Sequence, residues 1–166
     1  NTLRFGAHPL LATEAPRRYT APTEFVARIA GGYISKLTGV TDRDGYRLAG
    51  VSCLTPHQLG ELERYRAPLS WVRPRLLDGV TLALSTGQES NYFHWLLEVV
   101  CRFGLAESLG EPFDRVYVED RYPFQRDSLE RLGIPPSRIV SSHQHPIVRC
   151  EQVLASSCLE AFWTPR

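Results

Sequence analysis

At 166 residues the chain is long enough for one domain with a real hydrophobic core. Its 43% apolar content is ordinary for a globular protein, and a net charge of +1 argues against a nucleic-acid binder held by phosphate contacts. No apolar run approaches the ~20 residues of a membrane span, and no signal peptide opens the chain.

In chain order, residues 1–22 are irregular, with Pro9, Pro16 and Pro22 breaking any element. Residues 23–75 form a β-rich region with one short helix. Phe25, Ala27 and Ile29 alternate with polar positions, Gly31-Gly32 can turn, and Asp42-Arg-Asp-Gly45 makes a hairpin turn before a strand over Tyr46–Val51. Thr55 as N-cap and Pro56 at N1 start a helix reaching Arg64. Pro68 and Pro74 mark a connector.

Residues 76–166 read as βαβ. Val80–Leu84 is a short buried strand, 91–109 a long helix, and 114–118 a strand. Residues 124–132 form a helix closed by Gly133, and 137–141 and 147–155 follow as strands. The pattern predicts an α/β fold, one compact domain overall, with a mainly parallel sheet covered on both faces. Ligands of such sheets bind past the carboxyl ends of the strands. The loop Ser85–Ser90 leaves the first strand at that edge, and Glu119 and Asp120 leave the next one there.

The long helix opens Asn91-Tyr-Phe-His-Trp-Leu-Leu-Glu98. At ~100° per residue, Phe93, Leu96, Leu97, Val100, Phe103 and Gly104 share one face, expected against the sheet. Asn91, His94, Trp95, Glu98 and Arg102 fall opposite, with His94, Glu98 and Arg102 stacked at i, i+4 and i+8. The face fits either an ordinary surface helix, with N-cap Asn91 and a Glu98–Arg102 ion pair, or the wall of a cleft.

This run closely resembles the Asn-Tyr-Phe-His-Trp-Leu-hydrophobic-Asp/Glu motif of glycosyltransferase family 61, whose bacterial members are often described as capsular polysaccharide biosynthesis proteins. The resemblance covers roughly residues 76–155 and includes the strand Asp114–Val118, Pro123-Phe-Gln-Arg126 and Leu129–Ile134. Glu98 stands where the family usually has Asp, and Cys101-Arg102 where it has Pro-Arg.

The resemblance implies the Rossmann-like, acceptor-side N-terminal half of a two-domain GT-B enzyme. Such an enzyme moves a sugar from a nucleotide-sugar to a glycan or polysaccharide acceptor, inverting the anomeric centre without a cofactor or an essential metal. Glu98 or His94 would be the catalytic base. Asn91, Tyr92, Trp95, Arg102, Glu119 and Asp120 would bind substrate, with Tyr92 and Trp95 stacking on sugar faces. The nucleotide-sugar would be gripped by a C-terminal half beyond this chain. The implied location is cytoplasmic, any membrane attachment being made by parts outside the chain. The total absence of methionine, including an initiator, fits a piece of a longer protein.

Other signals are weak. There is no GxGxxG after a strand and no GxxxxGK, so neither nicotinamide cofactors nor P-loop chemistry is supported. Asp42-Arg43-Asp44 matches a metal-binding Asp-x-Asp pattern, but the following Gly45 explains it as a turn. His143-Gln-His145 with Cys150 matches no zinc spacing. Cys53, Cys101, Cys150 and Cys158 lack a CxxC and are expected as buried free thiols. Lys36, the only lysine, reflects composition. The reading from a second functional class is a catalytically idle Rossmann-like binding or assembly module.

Overall fold

A computed structural model describes residues 24–36, 39–52 and 73–157. The expected irregular segment 1–22, the helix from Thr55, Cys53 and Cys158 lie outside the described residues. The fold is α/β. Six strands, β1 (Val26–Ser35), β2 (Gly39–Thr41), β3 (Arg75–Ala83), β4 (Arg115–Val118), β5 (Ile139–Ser141) and β6 (Ile147–Ser156), form one mixed sheet of order β2-β1-β6-β3-β4-β5. The β6-β3, β3-β4 and β4-β5 pairs are parallel; β1 is antiparallel to both β6 and β2. The β-rich N-terminal region therefore extends the same sheet.

Two helices cross between the parallel strands. The first, α1, runs through an α-helical turn Tyr92–His94, a π-helical segment Trp95–Val100 and an α-helix Cys101–Ser108. The second, α2 (Pro123–Arg131), has Pro123 in its first turn, and the Gln125 side chain accepts from the Tyr122 N–H at 2.9 Å.

The strands alternate their contacts with period two. Leu82, Leu84, Val116, Val118 and Leu154 pack with Trp95, Val99, Phe103 and Ala106 of α1 and with Leu129 of α2. The alternate residues Ala83, Tyr117, Val153 and Ala155 pack with Ile34, Val40, Val51, Leu77 and Val148. Among the described residues both helices thus cover the same face, contrary to the expectation of helices on both. Residues of β1 and β2 and of the starts of β3 and β6 pack on the other face.

A bulge interrupts the β3–β6 pairing. The β3–β6 register shifts between Leu77 and Val80. Gly79 sits there at φ +69°, where a Cβ would run into the Asp114 carboxylate. Asp114 Oδ2 accepts from the Val80 N–H at 2.7 Å, and Glu151 Oε2 from the Gly79 N–H at 2.8 Å.

Two further expectations change. Residues 46–51 do not continue the hairpin as a strand: a single bridge joins Thr41 to Arg47, and Ala49–Val51 turn as a 3-10 helix. The helix phase is also different. Phe93, Leu96 and Leu97 are 48%, 38% and 41% exposed, whereas Trp95, Val99 and Ala106 are buried. Only Phe103 of the expected core stripe is fully packed, with Val100 half-buried. α1 carries apolar residues around most of its circumference, and the sheet selects the stripe that places the tryptophan inside.

The π segment helps this choice. The Cys101 N–H bonds the Leu96 carbonyl, five residues back. In an α-helix a four-residue step overshoots one turn by ~40°. The wider turn shrinks the overshoot, so Trp95, Val99 and Phe103 align in one row, and His94, Glu98 and Arg102 in the next.

Candidate functional site

The site lies at the carboxyl edge of the parallel strands. β3 ends in a loop whose conformation is set by Glu89, a fully buried residue. Its Oε1 accepts from the Ser85 hydroxyl and from the Thr86 N–H at 2.8 Å, closing the loop on itself. The Gln125 amide of α2 donates to the Glu89 carbonyl at 2.9 Å, fastening the loop to the second helix. Asn91 then caps α1, its Oδ1 accepting from the Phe93 N–H at 2.9 Å.

Next to it, β4 ends in Glu119 and Asp120. Glu119 is buried and paired with the Lys36 ammonium, which arrives from the end of β1. Gly87 presses against the same place: a Cβ there would lie 2.8 Å from the Lys36 carbonyl. Tyr117 donates to the His145 carbonyl at 2.8 Å, and burial pushes its phenol well above the usual tyrosine range. Glu89 Oε2 and Glu119 Oε1 are buried without a hydrogen-bond partner among the described residues. Asp120 accepts from the Ser141 hydroxyl at 2.5 Å.

On α1, His94 Nδ1 and Glu98 Oε1 are 2.6 Å apart, and the two side chains keep 25% and 19% exposure. They form the part of the row that solvent reaches. Arg102 continues it inward and is buried, donating from Nε to Ser156 Oγ at 3.2 Å and from Nη2 to the Val51 carbonyl at 3.2 Å. Burial lowers its pKa to about 10, with the charges of Glu98 and then Glu89 acting the other way.

The residues expected at the site therefore separate. His94 and Glu98 form a reachable hydrogen-bonded pair, with Arg102 behind it as an internal brace. Trp95 is fully buried, edge-on to Phe124 at 5.9 Å, and is not available to stack on a sugar. Tyr92 is 57% exposed and stands edge-on to Phe124 at 5.3 Å. Asn91 is exposed, with its carbonyl oxygen used by the cap. Glu119 is locked in its ion pair. Asp120 instead lines a separate open groove of about 840 Å³ beside β5, with Arg75, Arg126, Ser141 and His145. That groove does not include the His94–Glu98 pair.

Lys36, Glu89 and Gln125 were not legible as site residues. A buried carboxylate four residues after a serine, in a loop leading into a helix cap, is the one local signal for Glu89. Lys36 meets Glu119 across 83 positions, and nothing in the sequence marks the pairing.

The Asp42 carboxylate is used by its turn, accepting from the N–H groups of Asp44 and Tyr46 at 2.9 and 2.8 Å. Among the described residues, no group of three or more His, Cys, Asp or Glu side chains is placed to hold a metal, and no helix is long and apolar enough to cross a membrane. No family model, no curated protein and no solved structure matches the chain.

Proposed function

We propose that the chain is the acceptor-side, Rossmann-like half of an inverting glycosyltransferase of the GT-B kind, transferring a sugar from a nucleotide-sugar to a glycan or polysaccharide hydroxyl. The carrying observation is the His94–Glu98 pair, 2.6 Å apart and half-buried at the start of α1. It stands where parallel α/β sheets receive ligands. Glycosyl transfer needs a group that takes the proton of the acceptor hydroxyl as it attacks the anomeric carbon.

With Nδ1–H donated to Glu98, the Nε2 lone pair of His94 is the proton acceptor. Glu98 fixes that tautomer and stabilises the imidazolium formed after transfer. Arg102 lies behind the pair, and the Glu98 charge acts to hold its guanidinium protonated against the effect of burial. Leaving-group stabilisation has no counterpart among these residues and is assigned to a further half that would bind the nucleotide. Tyr92, with more than half its surface open, is the aromatic residue available to a sugar face.

The test is release of nucleoside diphosphate by the full-length parent protein from a panel of nucleotide-sugars with glycan acceptors. His94→Ala should lower turnover about 10²–10⁴-fold, as for a lost general base. Glu98→Gln should lower it less and shift the pH profile. No transfer from any donor, or both variants retaining more than about a tenth of wild-type turnover, would remove this reading. A binding or assembly module is the second reading, and the exposed apolar side of α1 favours it.

A further inference from the structure

At the carboxyl edge of the sheet a polar row continues an apolar one. The register pairs Ala83 with Tyr117 and Tyr117 with Val140, and all three side chains pack on the side away from the helices. Two residues further along each strand, period-two alternation brings Ser85, Glu119 and Ser142 to that same side, on neighbouring segments about 4.8 Å apart. The ladder still holds there: the Leu84 N–H donates to the Tyr117 carbonyl at 3.0 Å, and the Ser142 N–H to the Val118 carbonyl at 2.9 Å. Glu89 joins the row through the Ser85 hydroxyl. None of the four residues is more than 5% exposed.

Three oxygens of the row have no partner among the described residues: Glu89 Oε2, Glu119 Oε1 and the Ser142 hydroxyl. The charges do not balance either. Glu89 and Glu119 bring two negative charges, and Lys36 answers with one positive charge on the other Glu119 oxygen. Arg102, the buried cation nearby, already acts with Glu98. A buried charge left without a counter-charge is costly. Beyond the effect of burial, both carboxylates push the Tyr117 phenol up, as groups close to it and to each other would.

We propose that the row is a cation site, in which Glu89 Oε2, Glu119 Oε1 and Ser142 Oγ hold one hard divalent cation of the Mg²⁺ or Mn²⁺ kind. Oxygen is the only donor type in the row, which selects hard cations. Carboxylates lending one oxygen each, with waters completing the shell, are how Mg²⁺ is commonly held. Water alone would satisfy the oxygens and leave the charge unanswered. The Lys36 side chain is 29% open, and beside it the row borders solvent. The cation ties the ends of β3, β4 and β5 to the Glu89 loop. It takes no part in the proton transfer assigned to His94, and the proposal stands apart from that reading.

Mg²⁺ should raise the melting temperature of the chelator-treated chain, by about 3–6 °C at about ten times the dissociation constant. NaCl at matched ionic strength should not. Mn²⁺ titrated into the protein should lose its free-ion paramagnetic resonance signal until a single ion is bound per chain. Glu89→Gln keeps an oxygen for the Ser85 and Thr86 contacts but removes the charge, and should abolish both responses. Ser142→Ala removes one ligand and should weaken Mn²⁺ binding about tenfold or more, at least as much as losing an outer-shell partner. Asp127→Asn with Glu130→Gln, on the open groove, should change neither response. Absence of both Mn²⁺ binding and a Mg²⁺ response overturns the proposal. So does a response that NaCl reproduces, which is charge screening. Mn²⁺ binding unchanged in Glu89→Gln and Ser142→Ala overturns it too, because the ion then sits elsewhere. Should Glu89→Gln fail to fold, Ser142→Ala decides alone.

Discussion

Replacing Trp95 and Phe93 in turn tests which side of α1 holds the fold together. Trp95 is fully buried between the sheet and Phe124, while Phe93 is 48% exposed two residues earlier. Trp95→Ala removes a complete aromatic side chain from the core and leaves a cavity, which costs about 3–5 kcal/mol. For a chain of this size each kcal/mol lowers the melting temperature by about 2–4 °C, so a loss of roughly 6–20 °C is expected. Phe93→Ala removes a half-solvated ring and should cost no more than about 1 kcal/mol. Trp95→Phe should fall well below Trp95→Ala, because it keeps the ring contact with Phe124 and removes an indole N–H that has no partner among the described residues. Urea melts of the three variants, followed by circular dichroism, give the ranking. If Phe93→Ala proves the more damaging of the two alanine variants, α1 is rotated from the phase described above and the site built on it fails.

The buried ion pair gives a second prediction. Lys36→Met strands Glu119, which is 1% exposed, and should cost about 3–5 kcal/mol. Adding Glu119→Gln should recover a large part, and purely additive losses would show that the two side chains are not coupled. The third concerns pH. Burial raises the Cys150 thiol from 9.0 to about 11, so the folded state holds a proton that the unfolded chain has released. This contribution is present below pH 9 and lost as pH rises toward 11, worth about 3 kcal/mol over the whole window. Stability measured between pH 8 and about 10 should fall, and Cys150→Ala should flatten the decline; an unchanged slope refutes it. In the same pH range iodoacetamide should alkylate Cys101, which is exposed, and spare Cys150, as peptide mapping would show. Finally, Gly104→Ala should stabilise the protein by about 0.5–1 kcal/mol, because the helix gains and no atom of the described residues is displaced. A lower melting temperature would mean that the surface at Gly104 is already occupied.

The alternation of apolar strands with helical segments, the caps at Asn91 and Gly133 and the Asp42–Gly45 turn were all readable in the sequence, because they depend on residues within a few positions of one another. The i, i+4 relation of His94 and Glu98 belongs to the same class: any helix through them brings the imidazole and carboxylate together. The facing of α1 was not readable. Its sequence offers two apolar stripes, Phe93-Leu96-Leu97-Val100 and Trp95-Val99-Phe103-Ala106, which local periodicity cannot rank. Burial of the indole against Leu82, Leu84 and Phe124 ranks them, helped by a π turn that the ~100° rule does not contain. For the same reason Arg102 looked like the last rung of an open ladder and is an internal brace held by Val51 and Ser156. Sequence by itself determined most of the strands and helices between residues 75 and 157, and the polar pair. Tertiary structure alone decided which helix face was buried, that both helices share one side of the sheet, and that Lys36 meets Glu119, since these depend on contacts between distant segments that no local spacing encodes.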